Sequence, residues 1–169
     1  RDRGIKAGLY FSHLDWSHPD YPYKTKEEIR YQAEDDSVRW KRFLSFRSAQ
    51  IEELCTRFNP DLLWFDGDWD FSADMWHSKQ VRSEINRMLP NVIVNSRING
   101  YGDYETPEQG VPVTPPEARW WELCMTMNDS WGYQQNDHNY KSANQTIRIL
   151  TDCISMGGNL LLDIGPKAD

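Results

Sequence analysis

The chain of 169 residues has only three cysteines, Cys55, Cys124 and Cys153, and their separations fit no metal-binding pattern. Cys55 and Cys153 fall on apolar helical faces, so inert buried thiols are expected. No apolar stretch approaches the roughly 18 residues of a membrane-spanning helix, so no transmembrane segment is expected. No run is rich in lysine and arginine, and 19 Lys+Arg against 26 Asp+Glu leave a net charge of −7. That balance argues against nucleic acid or an anionic membrane as a partner. Internal repeats and linkers are missing, and the opening Arg1-Asp2-Arg3-Gly4 is not a signal peptide. The four histidines, His13, His18, His77 and His138, lack paired metal spacing and read as loop or surface residues, with His13 near the mouth of a site. Neither a metal nor another cofactor is expected.

What is present is aromatic. Apolar residues make up only 38%, yet eight Trp, eight Tyr and six Phe compensate with large buried area per side chain. At this length one domain with a real core is expected. In chain order, Ile5–Ser12 reads as a strand, and Pro19 and Pro22 keep the next stretch irregular. Lys24–Asp36 reads as a solvated helix. From Trp40, the residues Leu44, Arg47, Ile51, Leu54, Cys55 and Phe58 keep helical spacing, with Arg47 alone breaking the apolar stripe. Asn59-Pro60 stops that helix, because proline disfavours helical geometry in the residue before it. Asp61–Asp66 is the second strand. Ser72 is placed to cap a helix carrying Val81, Ile85 and Met88, which Pro90 ends, and 92–95 is the third strand. Ser96–Glu117, with three glycines and four prolines, is a long loop of the kind that is functional or disordered. Arg119–Met127 is the fourth strand. Ser142–Met156 is a helix with a Ser142/Gln145 capping box, an Ile147/Leu150/Ile154 face and a Gly157-Gly158 stop. Asn159–Gly165 is the fifth strand. Strands alternating with helices predict an α/β fold with a parallel sheet.

The stretch LLWFDGDWD, 62–70, stands apart. A short apolar run bounded by turn residues reads as a buried strand, but carboxylates and two tryptophans at its exit are unusual for packing alone. In parallel sheets with helical crossovers, the C-terminal strand end is where side chains reach a ligand. Alternation places Trp64 and Asp66 on one face and Phe65 on the other. A flat aromatic beside an acid suits a sugar. On its own Asp66 also reads as an acid capping a turn before Gly67, and Asp68 is its local competitor. For Trp40, Trp120 and Trp121 core packing is the expected role.

Five segments in order resemble the α-L-fucosidases of glycoside hydrolase family 29: GLYFSHLDW at 8–16, NPDLLWFDGDW at 59–69, NSRINGYGDYETPEQ at 95–109, WELCMTMNDSWGY at 121–133 and SMGGNLLLDIGPKAD at 155–169. The resemblance implies a (β/α)8 TIM-like barrel, of which 1–169 would be the later part, roughly strands 4 to 8, with both ends appearing truncated. The family's His-His-Asp-Gly segment has no match here. The expected picture is five strands in a curved open sheet, with Asp66 and Glu108 facing a cleft at its C-terminal side.

The implied activity is a retaining exo-α-L-fucosidase acting on terminal fucose of oligosaccharides or glycoconjugates. Such enzymes use a carboxylate nucleophile and a second carboxyl about 5–5.5 Å away as acid/base. The family motif makes Asp66 the nucleophile. The loop 102–108 offers Asp103, Glu105 and Glu108 as acid/base, and the motif favours Glu108, with Glu105 as competitor. Carried over as sugar contacts are Tyr10, Trp64, Arg97, whose fixed charge would complement an ionised Asp66, and Trp131. Trp64 and Trp131 would offer the apolar wall that the methyl of a 6-deoxy sugar favours. A barrel glycosidase for another, galactose-like sugar and a non-catalytic sugar-binding relic are the competing readings. A secreted, periplasmic or lysosomal location follows only from the substrate class.

Overall fold

The apolar run at 62–66 is a strand because it is paired on both edges and buried on both faces. In the computed structural model, which describes residues 3–167, β2 (Leu62–Asp66) lies between β1 (Gly8–Ser12) and β3 (Ile93–Val94). Both pairings are parallel, with Tyr10 opposite Trp64, Ser12 opposite Asp66 and Leu63 opposite Val94. Arg1, Asp2, Ala168 and Asp169, the last two belonging to the fifth family-like segment, lie outside the described residues. The chain divides into two units, the first running to Asp103 and the second from Tyr104.

In the first unit, α1 (Ser37–Glu53) starts on Asp36, whose side chain accepts a hydrogen bond from the Arg39 amide. It passes into a π-helical turn, Leu54–Phe58, and stops at Asn59, which takes a left-handed conformation (φ 46°) just before Pro60. Ser72 caps as expected, accepting from the Met75 amide. The helix it starts is split, however. The short α2 (Ala73–Trp76) ends at His77, whose φ of 53° breaks the spiral before α3 (Ser78–Met88). Ile51 of α1, Cys55 of the π-helical turn, and Val81 and Ile85 of α3 pack on Phe11, Leu63, Phe65 and Val94 of the sheet. Tyr21, Trp40, Phe43, Leu44 and Trp76 build a neighbouring aromatic core. Arg47, the apparent break in the helical stripe, is buried; its guanidinium donates to the Trp76 carbonyl (2.6 Å) and lies 4.8 Å from that ring.

The expected helix over Lys24–Asp36 does not form. The stretch has turns and an antiparallel bridge, Tyr23 to Ile29, pinned by Arg30, which donates to the Tyr21 (3.1 Å), Tyr23 and Trp16 (2.6 Å) carbonyls. It has charge but no apolar stripe, and helices in proteins are held mainly by packing such a stripe.

In the second unit, β4 (Glu122–Thr126) and β5 (Asn159–Asp163) pair in parallel, with Leu123 opposite Leu160. Between them α4 (Ala143–Ser155) opens on the expected Ser142/Gln145 capping box. Trp121, Leu123, Met125 and Cys153 form the core, with Ile149, Met156, Leu160 and Leu162 against it. The Ile147/Leu150/Ile154 face is exposed among the described residues, so α4 packs through its other side. Trp40 and Trp121 are core residues as expected, but Trp120 is 56% exposed. All three cysteines are buried, and burial raises the Cys55 and Cys153 thiols.

The five expected strands are all present and parallel, but in one three-stranded and one two-stranded sheet rather than one. The outer edge of β3 is occupied by Asp103: its amide donates to the Val94 carbonyl (2.7 Å) and its carboxylate accepts from the Val94 amide (2.8 Å). A turn therefore satisfies the groups that a further strand would pair.

Candidate active site

Alternation along β2 sends Leu63 and Phe65 into the core and leaves Trp64 and Asp66 on the opposite face. The parallel register sets Tyr10 beside Trp64, where their rings stack at 5.8 Å and 19°. From there the Tyr10 hydroxyl donates to Asp66 Oδ2 (2.8 Å). Arg97, three residues past β3, donates from Nη1 to Asp66 Oδ1 (2.8 Å) and lies 4.7 Å over the Trp64 ring. Four of the six expected residues, Tyr10, Trp64, Asp66 and Arg97, thus form one cluster.

Both oxygens of the Asp66 carboxylate are engaged, one of them by a charge-assisted bond, which fixes its plane. Its side chain keeps 22% of its surface exposed, so a ligand atom can reach it. Burial and the neighbouring Asp66 raise the Tyr10 phenol, which keeps it protonated as a donor. Trp64 is buried beneath Tyr10 and Arg97, and its indole N–H has no partner among the described residues.

The chain leaves β2 through Gly67, at φ 81°, where an added Cβ would lie 2.5 Å from the Leu14 side chain. No other residue fits that exit. Asp68, the local competitor of Asp66, is used structurally. Its carboxylate accepts from the Asn99 amide (2.6 Å) and its carbonyl from the Trp76 indole (3.0 Å), tying the segment after β2 to the one after β3. Asp103, the first of the three loop acids, is also structural, since Arg82 grips both its oxygens (2.7 and 2.8 Å).

Reading the sequence missed one residue here and misjudged the burial of another. Asn95 is fully buried and its amide bridges β2, accepting from the Phe65 amide (2.7 Å) and donating to the Phe65 carbonyl (2.8 Å). A polar residue ending the apolar run 92–94 was the available signal. His13, read as a loop or surface residue near the mouth of a site, does lie in the loop after β1, but it is 2% exposed. Its ring stacks on Phe65 at 5.1 Å and lies 5.3 Å from Trp76, so the aromatic core draws it inward.

In the second unit, the expected loop is partly ordered on β4. Glu105 and Glu108 bridge Trp121 and Cys124, through bonds such as Cys124 amide to Pro107 carbonyl and Gln109 amide to Cys124 carbonyl (both 2.9 Å). Glu105 and Glu108 are both exposed, on a backbone that these bonds hold to β4. The Gln109 side chain reaches Thr126 at the end of β4 (3.4 Å). Trp131, in the segment after β4, is 45% exposed. Among the described residues no three His, Cys, Asp or Glu side chains come together as a metal site, and no helix is long and apolar enough to cross a membrane.

Known proteins resemble this chain over its whole length. The family model described as Alpha-L-fucosidase matches residues 1–169. The tissue alpha-L-fucosidase of Rattus norvegicus is 31% identical over the whole chain, and that of Homo sapiens 30%. The chain spans 37% of the length of each of these relatives. Among solved structures, alpha-L-fucosidase isoenzyme 1 from Paenibacillus thiaminolyticus superposes with a TM-score of 0.87 at 34% identity, over 98% of this chain and 44% of that one. An alpha-L-fucosidase from Lactobacillus casei, in complex with alpha-L-fucose product, superposes at 0.79 and 26% identity, over 97% and 54%.

Proposed function

Because the chain belongs to the alpha-L-fucosidase family, we propose that it carries the nucleophile of a retaining exo-α-L-fucosidase, together with the acid/base and part of the sugar pocket. The single observation that carries this reading is Asp66, at the end of a buried strand, with Tyr10 on one oxygen and Arg97 on the other. A carboxylate fixed in plane and partly open is what covalent attack on an anomeric carbon requires.

In the first step Asp66 attacks the anomeric carbon of α-L-fucose, forming a glycosyl-enzyme with inverted configuration, while Glu108 gives its proton to the leaving oxygen. In the second, Glu108 takes a proton from water, which displaces Asp66 and restores the original configuration. Tyr10, Arg97 and Trp131 line the sugar, and Trp64 contributes to the pocket from beneath Tyr10 and Arg97. The Lactobacillus casei relative solved with alpha-L-fucose product supports fucose as the glycone. Membership of the family and the length of the curated relatives support a larger (β/α)8 barrel, in which these five parallel strands are strands 4 to 8. Terminal fucose on oligosaccharides or glycoconjugates is the proposed substrate, which points to a secreted, periplasmic or lysosomal setting.

Asp66→Gly tests the reading in the full-length protein. Turnover of an aryl α-L-fucoside is expected to fall by several orders of magnitude. Added azide should restore part of it and yield the fucosyl azide of opposite anomeric configuration. A glycine variant keeping more than about a tenth of wild-type turnover would remove Asp66 from the nucleophile's role, since losing a covalent nucleophile costs far more than that.

A further inference from the structure

His13 is joined to both partners of the central ion pair. Its backbone amide donates to the Asp66 carbonyl (2.8 Å), carrying the β1–β2 pairing one residue past the strands. Its imidazole Nε2 lies 3.3 Å from the Arg97 carbonyl. A carbonyl only accepts, so Nε2 carries the proton and Nδ1 the lone pair. The ring is held by Phe65 and Trp76, and Phe11 meets it edge-on at 6.0 Å. Burial, and then the Arg47 guanidinium, push the imidazole down to about 3, so it stays neutral and its Nε2–H stays a donor near neutral pH.

We propose that His13 is a positioning residue: its Nε2–H fixes the backbone of Arg97 so that the guanidinium meets Asp66, whose own backbone the His13 amide holds. The proposal rests on the roles given above to Asp66 and Arg97. Packing alone does not call for a histidine here. Leucine would fill much of the space between Phe65 and Trp76 without leaving Nδ1 buried and unpartnered among the described residues. What leucine cannot supply is the donor that reaches the Arg97 carbonyl.

The test compares His13→Leu, His13→Gln, Arg97→Met and the His13→Leu/Arg97→Met double variant of the full-length protein on an aryl α-L-fucoside. His13→Leu should lower kcat/KM roughly tenfold, the scale of one intramolecular hydrogen bond. His13→Gln, which keeps a donor, should recover most of that loss. In the Arg97→Met background His13→Leu should cost less than about twofold, because no guanidinium remains to be positioned. Equal losses in both backgrounds, or a glutamine variant no better than leucine, would overturn the proposal. Nitrogen NMR of the wild-type imidazole gives an arm independent of activity and of any variant's folding. The neutral, Nε2-protonated tautomer is expected between about pH 5 and 8; a charged ring or the other tautomer would overturn the proposal as firmly. A wild-type protein inert on the aryl fucoside would count against the proposed function alone, and the NMR result would then decide the role of His13.

Discussion

The two units hold their candidate acids in opposite ways. Asp66 ends a strand paired on both edges, and side chains from β1 and from the segment after β3 grip its carboxylate. Glu108 lies on an irregular segment whose backbone is pinned to β4 while its side chain is exposed. In the double-displacement reading this contrast has a reason. A nucleophile must be aimed at one carbon, so fixing its plane lowers the cost of attack. An acid/base serves two steps with opposite protonation states, and the exposure of Glu108 opens it to both the leaving oxygen and water.

The largest effect that would break the contrast lies at Glu108. Glu108→Ala should cost about 10² to 10⁴-fold on a fucosyl disaccharide, the usual worth of general-acid catalysis. On an aryl fucoside with a good leaving group it should cost much less. Glu105→Ala, four residues earlier than Gln109 on the same pinned segment, serves as the control. Equal losses on the two substrates, or the differential pattern in Glu105→Ala, would move the acid/base elsewhere.

The next effect is on stability. Phe65 is fully buried between the His13 ring and the core, and Phe65→Ala should cost about 3–5 kcal/mol in urea unfolding. Trp120, larger but 56% exposed, should cost within about 0.5 kcal/mol when replaced by alanine. A Trp120 loss as large as that of Phe65 would mean that the ring is covered in the full-length protein.

These two residues also mark what the sequence discloses. Phe65 was legible because strand alternation has a fixed period and its apolar neighbours set the phase. The same period placed Trp64 beside Asp66, and the cap at Ser142 was legible because it depends on residues three apart. Trp120 and His13 were misjudged because type and local spacing do not say which side of a chain meets a core brought from elsewhere. His13 is buried by Phe65 and Trp76, both more than 50 positions later in the sequence. Arg97 and Tyr10 were identified by family likeness alone; their grip on Asp66 depends on a three-strand register that no local pattern encodes. The Lys24–Asp36 helix failed for the complementary reason, since a polar segment has no period to test.

His13 gives a pH-dependent difference between the units. Its ordinary pKa of 6.5 falls to about 3 in the fold, so between those values the unfolded chain binds more protons than the folded one. Stability then falls as pH drops through that window, by about 1.4 kcal/mol per pH unit at most. Between pH 7 and pH 5 the wild type should lose about 2 kcal/mol more than His13→Gln in urea unfolding. Carboxylates common to both proteins cancel in that difference. Matching slopes would show that the imidazole reaches solvent or a proton partner.

The smallest effect asks whether the two units respond separately. Ser142 accepts from the Gln145 amide, and the Gln145 side chain accepts in return from the Ser142 amide (2.7 Å). Ser142→Ala removes the first bond and should cost about 1 kcal/mol. α4 has 13 residues, near the length at which an isolated helix is marginal in water, so its cap matters more than that of a well-packed helix. Among the described residues its Ile147, Leu150 and Ile154 side adds no packing to compensate. Hydrogen exchange should therefore quicken in α4 and in β4 and β5, which share its core, while β2 keeps its protection. Such confinement is what local opening of one cooperative unit produces. Equal loss of protection at Leu63 and Leu123 would instead mean that the two units unfold as one.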